Sequence, residues 1–358
     1  MNKRLLISAV TMAAFLAFSS CSRAVSPDNT TTSEITTTVS EETSETIAEV
    51  TEASSKPYDH TFNPHVISQV FVDKFGKEFE ENYYRYCDAV LTGADSVKLD
   101  KQEYLEMFIN ISRTCLPIVA QNAFFFADEA KPRENGEYEL KYNIPKDEYL
   151  KSVDEFKARV EYLIESACLE DDSDLERALA LYISESARID YDYDAMNTDS
   201  YVSAEGYTIS PYRALMTDKG ICQEIAGAYA YLLLQVGIDA TIASGLTKDS
   251  SSAHEWTIAK LDGKYYHCDV TFQCTSKYSV NFFGMNDAER EKQGDWDMKY
   301  INIGDINQIW HKDLPIEDNR FEQLWKCFTC FLDRDENKLF CYDDSGTEDS
   351  CYYDMSVA

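Results

Sequence analysis

The chain has 358 residues, 44% of them hydrophobic and 13% aromatic, enough apolar material for one large or two medium domains. Its formal charge is −31 at neutral pH, from 64 acidic against 33 basic residues. A field of that sign argues against nucleic acid as a partner and against adsorption to anionic lipid; it describes a soluble, self-repelling surface.

Residues 1–21 carry a positive Lys3-Arg4 start, an apolar run from Leu5 to Phe18 and a small-residue stop at Ser19-Ser20-Cys21. This is the pattern of a secretory signal peptide, with a run too short for a membrane span. Its ending resembles a bacterial lipoprotein box, which implies lipidation of Cys21 and a mature chain that begins there. Ordinary cleavage is the alternative. Residues 22–57 are rich in Ser, Thr and Glu and nearly lack large apolar side chains. Such a stretch cannot bury enough surface to offset its ordering entropy, so a flexible tether is expected. The membrane is then a partner through the N-terminal lipid anchor only, on the extracellular face.

Residues 58–171 alternate helical and extended patterns, and a supporting α+β subdomain without a chemical motif is expected there. Apolar residues recur at helical spacing over 66–90 and 101–113, the second stretch with Asp100 as its cap, Glu103 at the third position and Pro117 as its stop. Residues 122–128 and 137–144 read as a hairpin around a polar turn. Helices over 145–168 and 171–189 follow.

The chemistry lies further on. From Cys222, apolar residues at 225, 226, 229, 232, 233 and 236 define an amphipathic helix that Gly237 stops. Gly220, just before it, allows a sharp turn. Cys222 is thereby placed where unpaired N–H groups and the positive end of the helix dipole favour a thiolate and offer a donor to an oxyanion. Strands are expected over 238–243, 254–261 and 264–269, the last two joined by Asp262-Gly263. Counting outward from that turn pairs Leu261 with Lys264 and His254 with Thr271. Asp269 then falls opposite Trp256, one diagonal step from His254 on the same face. A carboxylate there can fix the tautomer of an imidazole and stabilise its charged form. His267 shares the face of Asp269 and is the rival base. Trp256 shares the face of His254, where it either walls a substrate cleft or packs in the core.

These residues resemble the transglutaminase-like superfamily, a branch of the papain-like thiol enzymes. The likeness rests on Gly220-x-Cys222 opening a helix with Ala226 and Ala230, Gly237-Ile238, His254-x-Trp256, and Asp262-Gly263-Lys264-x-Tyr266-x-x-Asp269-x-Thr271. Ile189-x-Tyr191-Asp192, Tyr212-Arg213-Ala214-Leu215, Asn281-Phe282-Phe283-Gly284 and Asp287-x-Glu289-Arg290 extend it. It implies an α+β, papain-like core over 172–310, with the nucleophile helix packed on an antiparallel sheet. Cys222 would be the nucleophile, His254 the base and Asp269 the third member, acting on a protein or peptide substrate, cell-wall peptides included. No cofactor or metal is expected. Proteases, amidases and crosslinkers share the likeness. Hydrolysis is expected over crosslinking, because nothing in the sequence resembles the extra β-sandwich domains of the animal crosslinking enzymes. An inert domain that binds peptides or cell-wall polymers is the alternative.

Residues 311–358 hold Cys327, Cys330, Cys341 and Cys351 among Phe and Tyr, with a turn at Asp343-Asp344-Ser345-Gly346, and suggest a terminal hairpin or small satellite. Setting aside Cys21 and Cys222 leaves an odd number of the 11 cysteines, so no connectivity follows. The tail cysteines lack a second closely spaced pair, which favours core or disulfide roles over a four-sulfur metal site.

Overall fold

The computed structural model describes residues 56–121, 125–126, 135–197, 201–274, 276–306, 308–342 and 351–355. The signal peptide with Cys21 and residues 22–55 of the tether lie outside them.

The helical spacing over 66–90 resolves into two helices, α1 (Gln69–Phe75) and α2 (Lys77–Leu91). Gly76 between them takes φ +85°, which ends the first and opens the second. Strand β1 (Ser96–Lys98) precedes α3 (Tyr104–Cys115). Asp100 does not cap this helix. Its carboxylate accepts from Asn82 Nδ2 at 2.9 Å and Arg85 Nη2 at 2.6 Å, and Glu103 takes the cap position instead. Pro117 opens a 3-10 turn directly after the helix. The hairpin is found only in part: β2 (Phe125–Phe126) pairs with β4 (Lys141–Tyr142), while β3 (Glu137–Glu139) crosses to β1. Then come α4 (Lys146–Ala167) and α5 (Asp174–Arg188), the latter opened by a reciprocal capping box between Ser173 and Glu176.

Short β5 (Asp190–Tyr191), α6 (Tyr193–Met196) and α7 (Pro211–Thr217) lead to β6 (Lys219–Gly220), which runs parallel to β5 and delivers the chain to α8 (Cys222–Gln235). Gly220 serves space rather than a sharp turn: a Cβ there would meet Glu224 Cβ at 3.2 Å and Ala214 Cβ at 3.3 Å. Every residue of α8 from Glu224 to Gln235 is buried, so the helix expected to be amphipathic is enclosed. Helices α3, α5 and α7 pack against it. Complete burial of Ile225, Leu232 and Leu233 stabilises the fold by about 2–3 kcal/mol each.

The chain continues through β7 (Ala240–Leu246), β8 (Ala253–Leu261), β9 (Lys264–Cys268), α9 (Val270–Cys274), α10 (Asp287–Gly294) and β10 (Asn302–Ile303). The four strands form one antiparallel sheet in the order β10-β7-β8-β9, and β7 and β8 lie on α8. Leu261 pairs with Lys264 and Thr257 with Cys268, the register counted from the turn. Asp262 and Gly263 sit at φ +48° and +80°, as a two-residue hairpin turn requires. The strand stops one residue early. Asp269 Oδ1 accepts from Phe272 N at 3.1 Å and opens α9, so Thr271 is helical rather than opposite His254.

A three-stranded antiparallel sheet closes the chain: β11 (Thr329–Asp333), β12 (Lys338–Tyr342) and β13 (Cys351–Asp354). The turn between its first two strands is at 334–337, with Asn337 at φ +54°. The turn expected at 343–346 lies outside the described residues. Buried apolar side chains from Phe62 to Met355 form one contiguous core, so the N-terminal segment and the tail pack on the same interior as α8. Among the described residues, no helix is long and apolar enough to cross a membrane.

Candidate active site

Cys222 is the first residue of α8 and is half-buried. A buried ion-pair network fixes that helix start. Glu224 Oε2 accepts from Ile221 N, and Oε1 accepts from Ser210 N and Arg213 Nε, each at 2.9 Å. Arg213 Nη2 reaches Glu224 Oε2 at 2.5 Å, and its Nη1 reaches Asp192 Oδ2 at 2.7 Å. Glu224 is fully buried and Arg213 is 1% exposed. Burial raises the Glu224 carboxyl above its ordinary range, against the pull of Arg213. The stretches 189–192 and 212–215 noted in the sequence thus supply Asp192 and Arg213, which brace the cysteine's helix from outside it.

His254 lies at the start of β8, and its Nε2 is 2.7 Å from Asp269 Oδ2. That leaves Nδ1 for Cys222, whose thiol is a close neighbour of the ring. Three sequence-distant residues therefore meet: the tip of α8, the start of β8 and the junction of β9 with α9. Burial alone would lower the imidazole pKa. The Asp269 charge and hydrogen bond, with Cys222 behind them, outweigh burial and hold it up at about 9. Burial likewise works to raise Asp269, but His254 and Arg290 hold its carboxylate down to about 2. At neutral pH the pair is imidazolium and carboxylate.

Around that pair stands an aromatic box. Phe272 stacks on His254 at 4.8 Å and 11°, and Trp296 at 5.6 Å and 20°. The fully buried Arg290 donates from Nη1 to Asp269 Oδ2 at 2.7 Å. Its guanidinium lies 4.5 Å from the Trp256 ring and 5.2 Å from the Trp296 ring, so the cation is held by π faces as well as by the carboxylate. Trp256, weighed as a cleft wall, is fully buried and offers a substrate no surface. Its indole N–H donates to His267 Nδ1 at 2.9 Å, and its ring packs 5.9 Å from His254.

That hydrogen bond also decides the standing of His267. Accepting at Nδ1 puts its proton on Nε2, which donates to Asp287 Oδ1 at 3.0 Å; His311 Nε2 reaches the same oxygen at 2.8 Å. With both ring nitrogens engaged and burial pushing its pKa down to about 4, His267 is a neutral structural group rather than the base. The ligand atoms of His267, Asp287 and His311 lie within 4.8 Å of one another. They do not suit a metal ion: coordination at His267 Nε2 would turn its Nδ1–H against the indole N–H.

On another side, Arg113 of α3 reaches Glu255 Oε2 at 3.1 Å and Asp305 Oδ1 at 3.3 Å. Cys222 lies within its electrostatic reach. The sequence reading passed over Arg113, Glu224, Phe272, Arg290 and Trp296. Arg290 alone left a trace there, within Asp287-x-Glu289-Arg290.

Residues 163–270 match the family model of the transglutaminase-like superfamily, so this chain carries a transglutaminase-like domain, with the α+β fold expected of it. Among solved structures, a TGase is 16% identical at a TM-score of 0.28, covering 38% of this chain and 40% of its own. The periplasmic domain of TgpA from Pseudomonas aeruginosa, bound to ethylmercury, is 20% identical at a TM-score of 0.24, covering 34% and 44%. The chain thus spans less than half the length of either. No curated protein matches it.

Proposed function

We propose that this protein is a thiol enzyme acting on peptide or glutamine amide bonds, with Cys222 as nucleophile, His254 as acid and base, and Asp269 as the group that orients His254. One observation carries the reading: the His254 imidazole stands beside the Cys222 thiol and 2.7 Å from the Asp269 carboxylate. The Cys222 thiolate attacks the amide carbon, and the oxyanion is met by backbone N–H groups at the tip of α8. His254 gives its Nδ1 proton to the departing amine, leaving a thioester. Water then attacks, passes a proton back to His254 and releases the acid; a primary amine in place of water would give transfer instead. Hydrolysis is the outcome we favour, on peptides that include those of cell walls. The signal-peptide pattern and tether composition support secretion with a lipid on Cys21. Labelling by a fatty-acid analogue, lost in Cys21→Ser, checks that part.

A thiol-reactive probe at mildly acidic pH tests the site. Cys222 is expected to label first, and labelling is expected to fall at least about tenfold in His254→Ala. Equal labelling of several cysteines, indifferent to His254, overturns the reading. Mass spectrometry of cell-wall peptides and casein incubated with wild type and Cys222→Ala then separates cleavage, deamidation and crosslinking. No difference between the two proteins would leave a binding module.

A further inference from the structure

Away from Cys222, a second group of sulfurs is built into the C-terminal sheet. Cys330 and Cys341 are direct cross-strand partners of β11 and β12, so their side chains share one face of the sheet. Directly opposed residues have Cα atoms roughly 4.5–5.5 Å apart, inside the window a disulfide accepts. Cys327 lies just before β11, beside both of these thiols, and its own thiol donates to the Thr329 carbonyl at 3.3 Å. The neighbouring thiols of Cys330 and Cys341 favour ionisation at Cys327, while the contact with Cys327 disfavours it at Cys330. Cys327 and Cys341 are each 1% exposed, whereas Cys330 is half-buried and open to a small reagent. A metal shell is the less fitting use: among the described residues, only His267, Asp287 and His311 bring three ligand atoms within 4.8 Å of one another.

We propose that Cys327, Cys330 and Cys341 form a thiol–disulfide exchange site that closes one disulfide within the trio on meeting a low-molecular-weight disulfide, R–S–S–R. Cys330 gives its proton to water and attacks one sulfur of R–S–S–R. A mixed disulfide forms, and the expelled RS⁻ takes up that proton. Cys327 loses its proton in turn and attacks the Cys330 sulfur, the Cys327–Cys330 disulfide forms, and the second RS⁻ takes up the proton from Cys327. Two protein thiols are oxidised and one R–S–S–R is reduced to two RSH. Cys341 can next attack Cys327 and move the bond inward, releasing Cys330.

The bond would form beside the loop that joins the tail to the transglutaminase-like core. The Cys327 carbonyl accepts from Ser279 Oγ, Cys330 N donates to the Tyr278 carbonyl at 2.8 Å, and Asp269 N donates to the carbonyl of Phe282 in the same loop at 2.9 Å. This proposal stands whether or not Cys222 is a nucleophile.

The test uses the reduced full chain in graded mixtures of reduced and oxidised glutathione. Free thiols are blocked, disulfides are then reduced and tagged with a second alkylating agent, and peptides are mapped by mass spectrometry. We expect one disulfide within the trio, while the buried Cys87, Cys115, Cys168 and Cys268 stay reduced. Cys330→Ser should leave the Cys327–Cys341 bond, and Cys327→Ser should leave only Cys330–Cys341. A trio that stays reduced, a lasting glutathione adduct on Cys330, bonds to cysteines outside the trio, or one equivalent of zinc that shields the three thiols each overturns the proposal. If Cys327→Ser fails to fold, the wild-type map decides alone.

Discussion

Asp269 carries two charged donors on one oxygen: His254 Nε2 and Arg290 Nη1 both lie 2.7 Å from Oδ2, while Oδ1 caps α9. Arg290 therefore competes with the imidazolium for the same negative charge, and it sets how strongly Asp269 can hold a proton on His254. Removing the guanidinium should leave that charge to His254 alone and raise the imidazole pKa further. With the imidazole held up at about 9, its positive charge beside Cys222 is lost as pH rises through that value. In Arg290→Gln the alkaline limb of Cys222 labelling should move up by about one pH unit. A limb that stays or falls means that Arg290 only fills space. Stability follows the same sign. A histidine whose folded pKa is raised contributes fully below its unfolded value near 6.5 and loses that contribution as pH climbs through about 9. Urea unfolding should show wild type weakening between pH 7 and 9.5 by on the order of 3 kcal/mol. Asp269→Asn should flatten that slope.

The tip of α8 depends on residues that precede it in the chain. Glu224, Arg213 and Asp192 are held together in a buried network, and Glu224 supplies the acceptor for Ile221 N that Ile221, with no polar side chain, cannot arrange for itself. Glu224→Gln keeps the shape but leaves Arg213 buried with half its partners. It should cost roughly 3 kcal/mol in urea unfolding and slow Cys222 labelling, while the pH dependence set by His254 stays. An unchanged midpoint would mean that the helix start is held by packing alone. The contrast with β8 and β9 shows what a sequence makes legible. Asp262-Gly263 fixed the register of that hairpin because a two-residue turn with positive φ allows only one pairing. His254 and Asp269 could be placed near each other by counting. The early end of β9 was already spelled in Asp269-x-x-Phe272, a capping spacing hidden inside what read as a strand. The ion pair of Glu224 was illegible for another reason: Arg213 lies 11 residues back, and no local period encodes a contact made by folding. Asp100 failed as a cap because Asn82 and Arg85 hold it, again across distance.

The N-terminal half reads in the sequence as a supporting subdomain, yet its side chains enter the same interior as the thiol helix. Ser68 and Gln69 N both donate to Asp239 Oδ1 at 2.8 Å, Asn63 N reaches Gln235 at 2.9 Å, and Phe156 stacks on Tyr231 of α8 at 5.7 Å. Arg113 of α3 reaches Glu255, the neighbour of His254. A seam with this many crossings should not part before the whole molecule melts. The chain offers a direct measurement. Its tryptophans, Trp256, Trp296, Trp310 and Trp325, all lie in the C-terminal third, so their fluorescence reports on the sheet and the tail. Far-UV circular dichroism is dominated by helices, and α1 to α5 all precede residue 189. With one shared core, the two signals should trace the same urea transition, with equal midpoints and slopes. If the helical signal fell first while tryptophan emission held, residues 58–171 would be a domain with a stability of its own. The contacts of Arg113 beside Cys222 would then be a docking of two bodies rather than the continuation of one core.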